Sequence, residues 1–290
     1  MFNWQAYISN YPDLQKAGIC SEQQAVKHYT TFGKTEGRTD TPNAMINDTS
    51  VYINGLLGNV LFCNIVCDYI AKKSNIKIKY SKHLETKTLG IQLYSGNVSY
   101  SETCVLDDKN IDLLFTTSGK FLESKNILID SYFHTPIVAE YLNGVILKNK
   151  NKIISANPYS ERYQNNSDLF IHVRFNDIPG PTNIEPYEYY SKAISMVTFQ
   201  NGYIASDNLT HPICRDLIKN FKLTPFNASD TKIIQYGSTC KNIILSKGTL
   251  SWFIGVFSFG NSNVYFPERL NKKNWHGHIF IFPEWNKVNY

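Results

Sequence analysis

His172, Arg174 and Asp177 lie close together in residues 168–177 and could do chemistry jointly. An imidazole can take or give a proton near neutral pH, a guanidinium can hold two oxygens of a phosphate or carboxylate at once, and a carboxylate can orient either. His172 and Arg174 are two residues apart, so on an extended strand their side chains point to the same face. The apolar run 169–171 before them reads as a buried strand. They therefore stand where a strand gives way to polar residues, which is where open α/β sheets place ligands. Arginine is used sparingly: only Arg38, Arg162, Arg174, Arg215 and Arg269 among the 29 basic residues are not lysine. A guanidinium at a strand end suits bidentate binding of an anion, which a lysine ammonium cannot imitate. A structural salt bridge between Arg174 and Asp177 is the competing reading, and the residues alone leave both open.

Other stretches offer anion-binding geometry. A strand at 51–53 leads through Gly55 and Gly58 into an apolar helical run at 60–71, and unpaired backbone N–H groups at such a helix start favour phosphate. Gly55 and Gly58 could equally serve only to bend the chain. Further on, a strand at 202–205 ends in Ser206 and Asp207, and a turn at 246–249 opens an apolar helix from about 250 to 257. Cys63 and Cys67 are spaced i, i+4 on an apolar helix with no second pair or histidine cluster at zinc-ligand spacing, so they read as core residues and no metal is expected. His28 reads as a packing or capping residue.

The elements that position these residues alternate. Residues 127–130 form a strand leading into 131–134, and 153–157 close a first α/β half. The second half opens with the His172 strand and continues through a helix at 187–197, the strand at 202–205 and a helix at 212–221. It then runs through 232–234, a strand at 242–245, the helix at 250–257 and a strand at 264–267. Such alternation predicts an α/β fold with a parallel, doubly wound sheet in each half and a cleft between them. The expected organisation is a small helical module at 1–40, a polar linker at 41–50, a Rossmann-like domain at 51–158 and a second at 159–290.

Composition narrows the partners. The 290 residues carry a formal charge of +5, with lysines scattered among Asn, Ser and Thr and not gathered in a basic block, so no nucleic-acid partner is expected. No apolar run is long enough to span a bilayer. The six cysteines, with no basic apolar leader at the start of the sequence, read as reduced thiols, and a cytoplasmic location is expected. The sequons at Asn47, Asn97, Asn165, Asn208 and Asn227 are read as chance products of an Asn-rich chain. That richness in Asn and Lys is compatible with the AT-rich genome of a large DNA virus, in which case the location is the host cytoplasm.

Six stretches, in order, resemble motifs of the inverting α-1,2-fucosyltransferase family of bacteria and large viruses. They are Gly55 to Phe62, Ser131 to His134, His172 to Asp177, Ala205 to Asn208, Lys247 to Phe253, and Ile281 to Trp285. The first forty residues, with Tyr11-Pro12-Asp13-Leu14, His28-Tyr29 and Glu36-Gly37-Arg38, resemble a short accessory module found beside glycosyltransferase domains. Three departures stand out. Phe175 replaces the second arginine of the family's pair, Val60 replaces a glutamine, and Gly248 replaces a serine.

The resemblance implies two Rossmann-like domains facing a cleft, the B-type glycosyltransferase architecture. It implies an inverting, metal-independent transferase without a cofactor, moving L-fucose from GDP-fucose to a hydroxyl of a glycan acceptor. By the same resemblance Arg174, His172 and Asp177 are catalytic candidates. Gly58, Asn59, Arg174, Ser206, Asp207, Gly248, Thr249, Leu250 and Ser251 are donor-binding candidates. Another donor, GDP-rhamnose or a UDP-sugar, and a non-catalytic glycan-binding or scaffold protein of the same fold are the alternatives that Phe175 and Val60 keep open.

Overall fold

The structure is a computed structural model, and it describes residues 2–36, 38, 40, 49–51, 56–116, 122–175, 184–268 and 279–290. The chain begins with short helices α1 (Trp4–Asn10), α2 (Pro12–Lys16) and α3 (Glu22–His28), the last continuing as a π turn over Tyr29–Gly33. Ser21 and Gln24 start α3 with a reciprocal capping box. Tyr7, Ile8, Leu14 and Ala25 form a core for this region separate from the rest. His28 Nδ1 meets the Tyr7 hydroxyl at 2.9 Å, so it helps to hold that core.

The first α/β half runs β1 (Thr49–Val51), α4 (Leu57–Ser74), β2 (Ile78–Tyr80), α5 (His83–Thr88), β3 (Glu102–Leu106), α6 (Leu113–Thr116), β4 (Lys125–Ile129), α7 (Pro136–Lys148) and α8 (Lys150–Ala156). Its strands pair in parallel as β1 with β2 and β3 with β4. One continuous second sheet is not among the described pairings. The expected linker residues 41–48 and the glycine turn at 52–55 lie outside the described residues.

The second half builds one six-strand parallel sheet. Its elements are β5 (Leu169–Val173), α9 (Tyr187–Ser195), β6 (Gly202–Ser206), α10 (Pro212–Phe221), β7 (Thr224–Pro225), α11 (Asp230–Gly237), β8 (Asn242–Ile244), α12 (Thr249–Val256), β9 (Asn263–Pro267) and β10 (Asn286–Val288). The spatial order is β10-β9-β8-β5-β6-β7. The chain leaves β5 toward one edge, returns to the other side of β5 at β8, and continues to the opposite edge. That reversal, between the carboxyl ends of β5 and β8, is the topological switch point at which doubly wound sheets form a ligand crevice.

Every residue of β5 is buried, as a parallel central strand with both faces covered requires. Alternate residues serve opposite faces. Leu169, Ile171 and Val173 pack with Tyr189, Tyr190 and Ala193 of α9 and Cys214 and Leu217 of α10. Phe170 joins Ile233 and Ile234 of α11 and Trp252, Phe253 and Ile254 of α12 on the other.

The same second cluster takes in Leu61, Phe62 and Ile65 of α4, so the two halves share one apolar core where a cleft was expected to part them. The reason is in the helix itself. Of the 18 residues of α4, 13 are buried, and a helix apolar all round must be covered on every side. The α4 helix ends at Asn75 in the left-handed conformation, φ 53°. Two further differences from the sequence pattern appear in the sheet. Ile233 and Ile234 sit in α11, and the short β7 comes before them; β10, at the edge, has no apolar run to announce it. No described helix is long and apolar enough to cross a membrane.

Candidate active site

Strand β5 and the turn between β8 and α12 meet at the switch point. His172 is buried and points to the α12 side, where its Nδ1 lies 2.6 Å from Ser251 Oγ in the first turn of that helix. Ser251 Oγ in turn lies 3.0 Å from Ser246 Oγ, and Ser246 Oγ donates to the Lys247 carbonyl at 3.3 Å. Burial pushes the His172 imidazole down to about 4, helped by the Arg174 charge and opposed by Asp207. At neutral pH the ring is therefore neutral.

Arg174 stands just past β5, with its side chain mostly buried, and its Nη1 is 3.6 Å from Asp207 Oδ2. Asp207 accepts from the Phe175 backbone N–H with both oxygens, at 3.0 and 3.3 Å, and from the Ser206 hydroxyl at 3.3 Å. Asp207 therefore ties the ends of β5 and β6 together and orients the guanidinium. Phe175 follows the parity of Val173. It is buried in the α9–α10 cluster and stacks on His211 with ring centroids 3.9 Å apart.

The start of α12 is shaped by Gly248, whose φ of 114° and ψ of 163° suit a residue without a side chain. No side chain caps this helix, nor the start of α4. The two starts abut. A Cβ on Gly58 would come within 2.4 Å of Thr249 Oγ1 and 2.5 Å of the Leu250 nitrogen, so Gly58 permits the close approach of the two backbones. Thr249 Oγ1 donates to Asn59 Oδ1 at 2.7 Å across this contact. Two positive helix-dipole ends thus meet beside the turn that follows β8.

The structure brings His172, Ser251, Arg174, Ser206 and Asp207 together around the ends of β5, β6 and β8. It places Gly58, Asn59, Gly248, Thr249 and Leu250 at the junction of the two helix starts. Asp177 lies outside the described residues. Four participants were missed by sequence reasoning. Lys247 Nζ pairs with the buried Glu185 at 2.8 Å, and the Tyr290 hydroxyl bonds the other Glu185 oxygen. Ser246 closes the chain of hydroxyls on His172. Ser246 could have been found from its place at the end of a strand, but Glu185 and Tyr290 lie too far along the chain for any local pattern to join them.

Among the described residues no group of three or more His, Cys, Asp or Glu side chains could hold a metal ion. Cys63 and Cys67 are buried thiols, and burial raises both well above the ordinary cysteine range. The arrangement offers a guanidinium, helix-start N–H groups and a neutral histidine at one sheet end, the groups needed to hold an anion beside a proton acceptor. No family model, curated protein or solved structure matches the chain.

Proposed function

We propose that the protein is an inverting, metal-independent glycosyltransferase that moves a sugar, with L-fucose from GDP-fucose as the first choice, onto a hydroxyl of a glycan acceptor. The observation that carries this reading is the convergence of Arg174, His172 and the α12 start on the switch point of a six-strand parallel sheet. Crevices of this kind bind nucleotides with the phosphates against a helix start. Arg174 would neutralise the charge that grows on the departing nucleoside diphosphate, a preorganised electrostatic role. Gly248 would let the backbone approach the phosphates. The sugar would pass through an oxocarbenium-like state and invert at its anomeric carbon.

The two-domain B-type architecture belongs to the same proposal. All four strands of the first half run in parallel pairs, and β1 lies beside β4. Both facts support one sheet of order β2-β1-β4-β3. The chain would then be two Rossmann-like units in contact through α4 and α12.

Phe175 stands where the fucosyltransferase resemblance expects a second arginine, and its ring is turned into the α9–α10 core. The alternative donors, GDP-rhamnose and UDP-sugars, carry the same diphosphate as GDP-fucose and are told apart by their nucleotide and sugar.

A thermal-shift panel of GDP, UDP, GDP-fucose and other nucleotide sugars, run on the wild type and on Arg174→Ala, tests the reading. Stabilisation by GDP and GDP-fucose is expected, about 2.7 kcal/mol at roughly 100 times the dissociation constant. It should vanish in the variant, and transfer should survive excess chelator. Stabilisation by UDP compounds alone would reassign the donor. No stabilisation by any nucleotide would overturn the transferase and leave a non-catalytic protein.

A further inference from the structure

The chain of hydroxyls on His172 has a direction. It ends on the Lys247 carbonyl, which can only accept, and Ser246 Oγ donates to it. With its own proton committed there, Ser246 can only accept from Ser251, at 3.0 Å. Ser251, having donated to Ser246, can only accept from His172, at 2.6 Å. All three contacts are then hydrogen bonds, and the proton of the imidazole sits on Nδ1. The reverse polarity, with Ser251 donating to Nδ1, leaves the Lys247 carbonyl without the Ser246 proton and makes one bond fewer. The buried Tyr190 hydroxyl makes no hydrogen bond of ordinary geometry and leaves this direction unchanged. Ser246 and Ser251 are both fully enclosed, at 1% and 0% exposure, so water does not compete for these contacts.

We propose that Ser246 and Ser251 are positioning residues that fix His172 as the Nδ1–H tautomer, so that Nε2 carries the lone pair and takes the proton of the acceptor hydroxyl. The tautomer follows from the geometry alone, and the base role rests on the transferase reading. In that step the acceptor oxygen forms a bond to the anomeric carbon as its proton passes to Nε2. The bond from that carbon to the diphosphate oxygen breaks, and its electron pair leaves with the nucleotide. The imidazolium then gives its proton to solvent. Burial is the larger obstacle to this protonation and the Arg174 charge the smaller, and a diphosphate lying against Arg174 would offset the second. Fixing the tautomer of a catalytic histidine through the nitrogen that does not react is a general device of proton-transfer sites.

The test is a long-range ¹H–¹⁵N correlation spectrum of histidine-labelled protein, with the His172 signals identified by their loss in His172→Gln. The wild type should show a protonated Nδ1 and an unprotonated Nε2. In Ser246→Ala, which does not touch the ring, Ser251 is released to donate to Nδ1 and the proton should move to Nε2. The other histidine signals should stay in place. In the same variant kcat should fall tenfold or more, while stabilisation by the nucleotide is unchanged. A wild-type spectrum with Nε2 protonated, or a Ser246→Ala spectrum with the tautomer unmoved, overturns the assignment of the serines. The expected spectra in a protein that no nucleotide stabilises would retain the tautomer and remove the base role together with the transferase reading.

Discussion

At the amino end of β5, Arg162 Nη2 meets Asp168 at 2.8 Å, while at the carboxyl end of the same strand Arg174 Nη1 meets Asp207 at 3.6 Å. The first pair is one part of a closed network. Arg162 Nε also donates to Thr239 at 3.2 Å, the guanidinium lies 4.4 Å from the centre of the Tyr236 ring, and Asp168 accepts from Asn201 at 2.9 Å. The second pair is longer than a hydrogen bond, and Asp207 directs both oxygens at the Phe175 N–H. The same two residue types therefore do different work at the two ends. At the amino end they fasten loops to a strand; at the carboxyl end they tie the ends of β5 and β6 together and hold a guanidinium at the switch point. The difference follows the rule that ligands of doubly wound sheets collect at the carboxyl ends.

Truncating each arginine is the strongest way to break this comparison. Arg174→Ala should lower sugar transfer by ~10²–10³ and leave the urea midpoint close to the wild type's. Arg162→Ala should do the opposite. It leaves Asp168 buried without its cation and should cost on the order of 2–3 kcal/mol of stability, with nucleotide affinity of the folded protein unchanged. Equal losses of stability in the two variants would mean that both ends are structural.

A smaller effect sharpens the comparison through pH. His172 is held neutral by burial, at about 4 against an ordinary 6.5. Between those values the unfolded chain binds a proton that the folded one refuses, so stability rises with pH across this window and is flat above it. Urea midpoints measured from pH 4 to pH 7 should fall more steeply toward acid for the wild type than for His172→Gln. Parallel slopes would show that the ring is not enclosed at the carboxyl end as described.

Much of this end of the sheet was legible in the sequence. Residues 169–171 are apolar with polar flanks, which marks a buried strand, and spacing alone puts His172 and Arg174 on one face. The turn at 246–249 announced itself through Gly248. Phe175 was read as an absent cation; strand parity, which puts it with Val173 on the opposite face, would have shown that it belongs to a different core. The sharing of one core by both halves was less accessible. The all-round apolar character of α4 requires partners on every side but does not name α12 among them. The pairing of Lys247 with Glu185, and of Glu185 with Tyr290, joins loops far apart in sequence and leaves no periodic trace.

The smallest effect concerns how the halves meet at the two ends. On the amino side Asn157 donates to the Gln235 carbonyl at 2.8 Å and Gln235 donates to the Thr88 carbonyl at 3.0 Å, so side chains grip backbone that cannot move away. On the carboxyl side Thr249 donates to Asn59 at 2.7 Å, side chain to side chain, beside the tight passage at Gly58. A double-mutant cycle of Thr249→Val and Asn59→Ala, followed by urea unfolding, should give a coupling of about 1 kcal/mol, the usual net worth of one such bond. The passage at Gly58 holds the two helix starts together whether or not this bond forms, so its loss should be felt as a modest drop in stability. A coupling near zero would mean that this bond does not form in solution, and that the carboxyl side is the looser of the two seams between the halves.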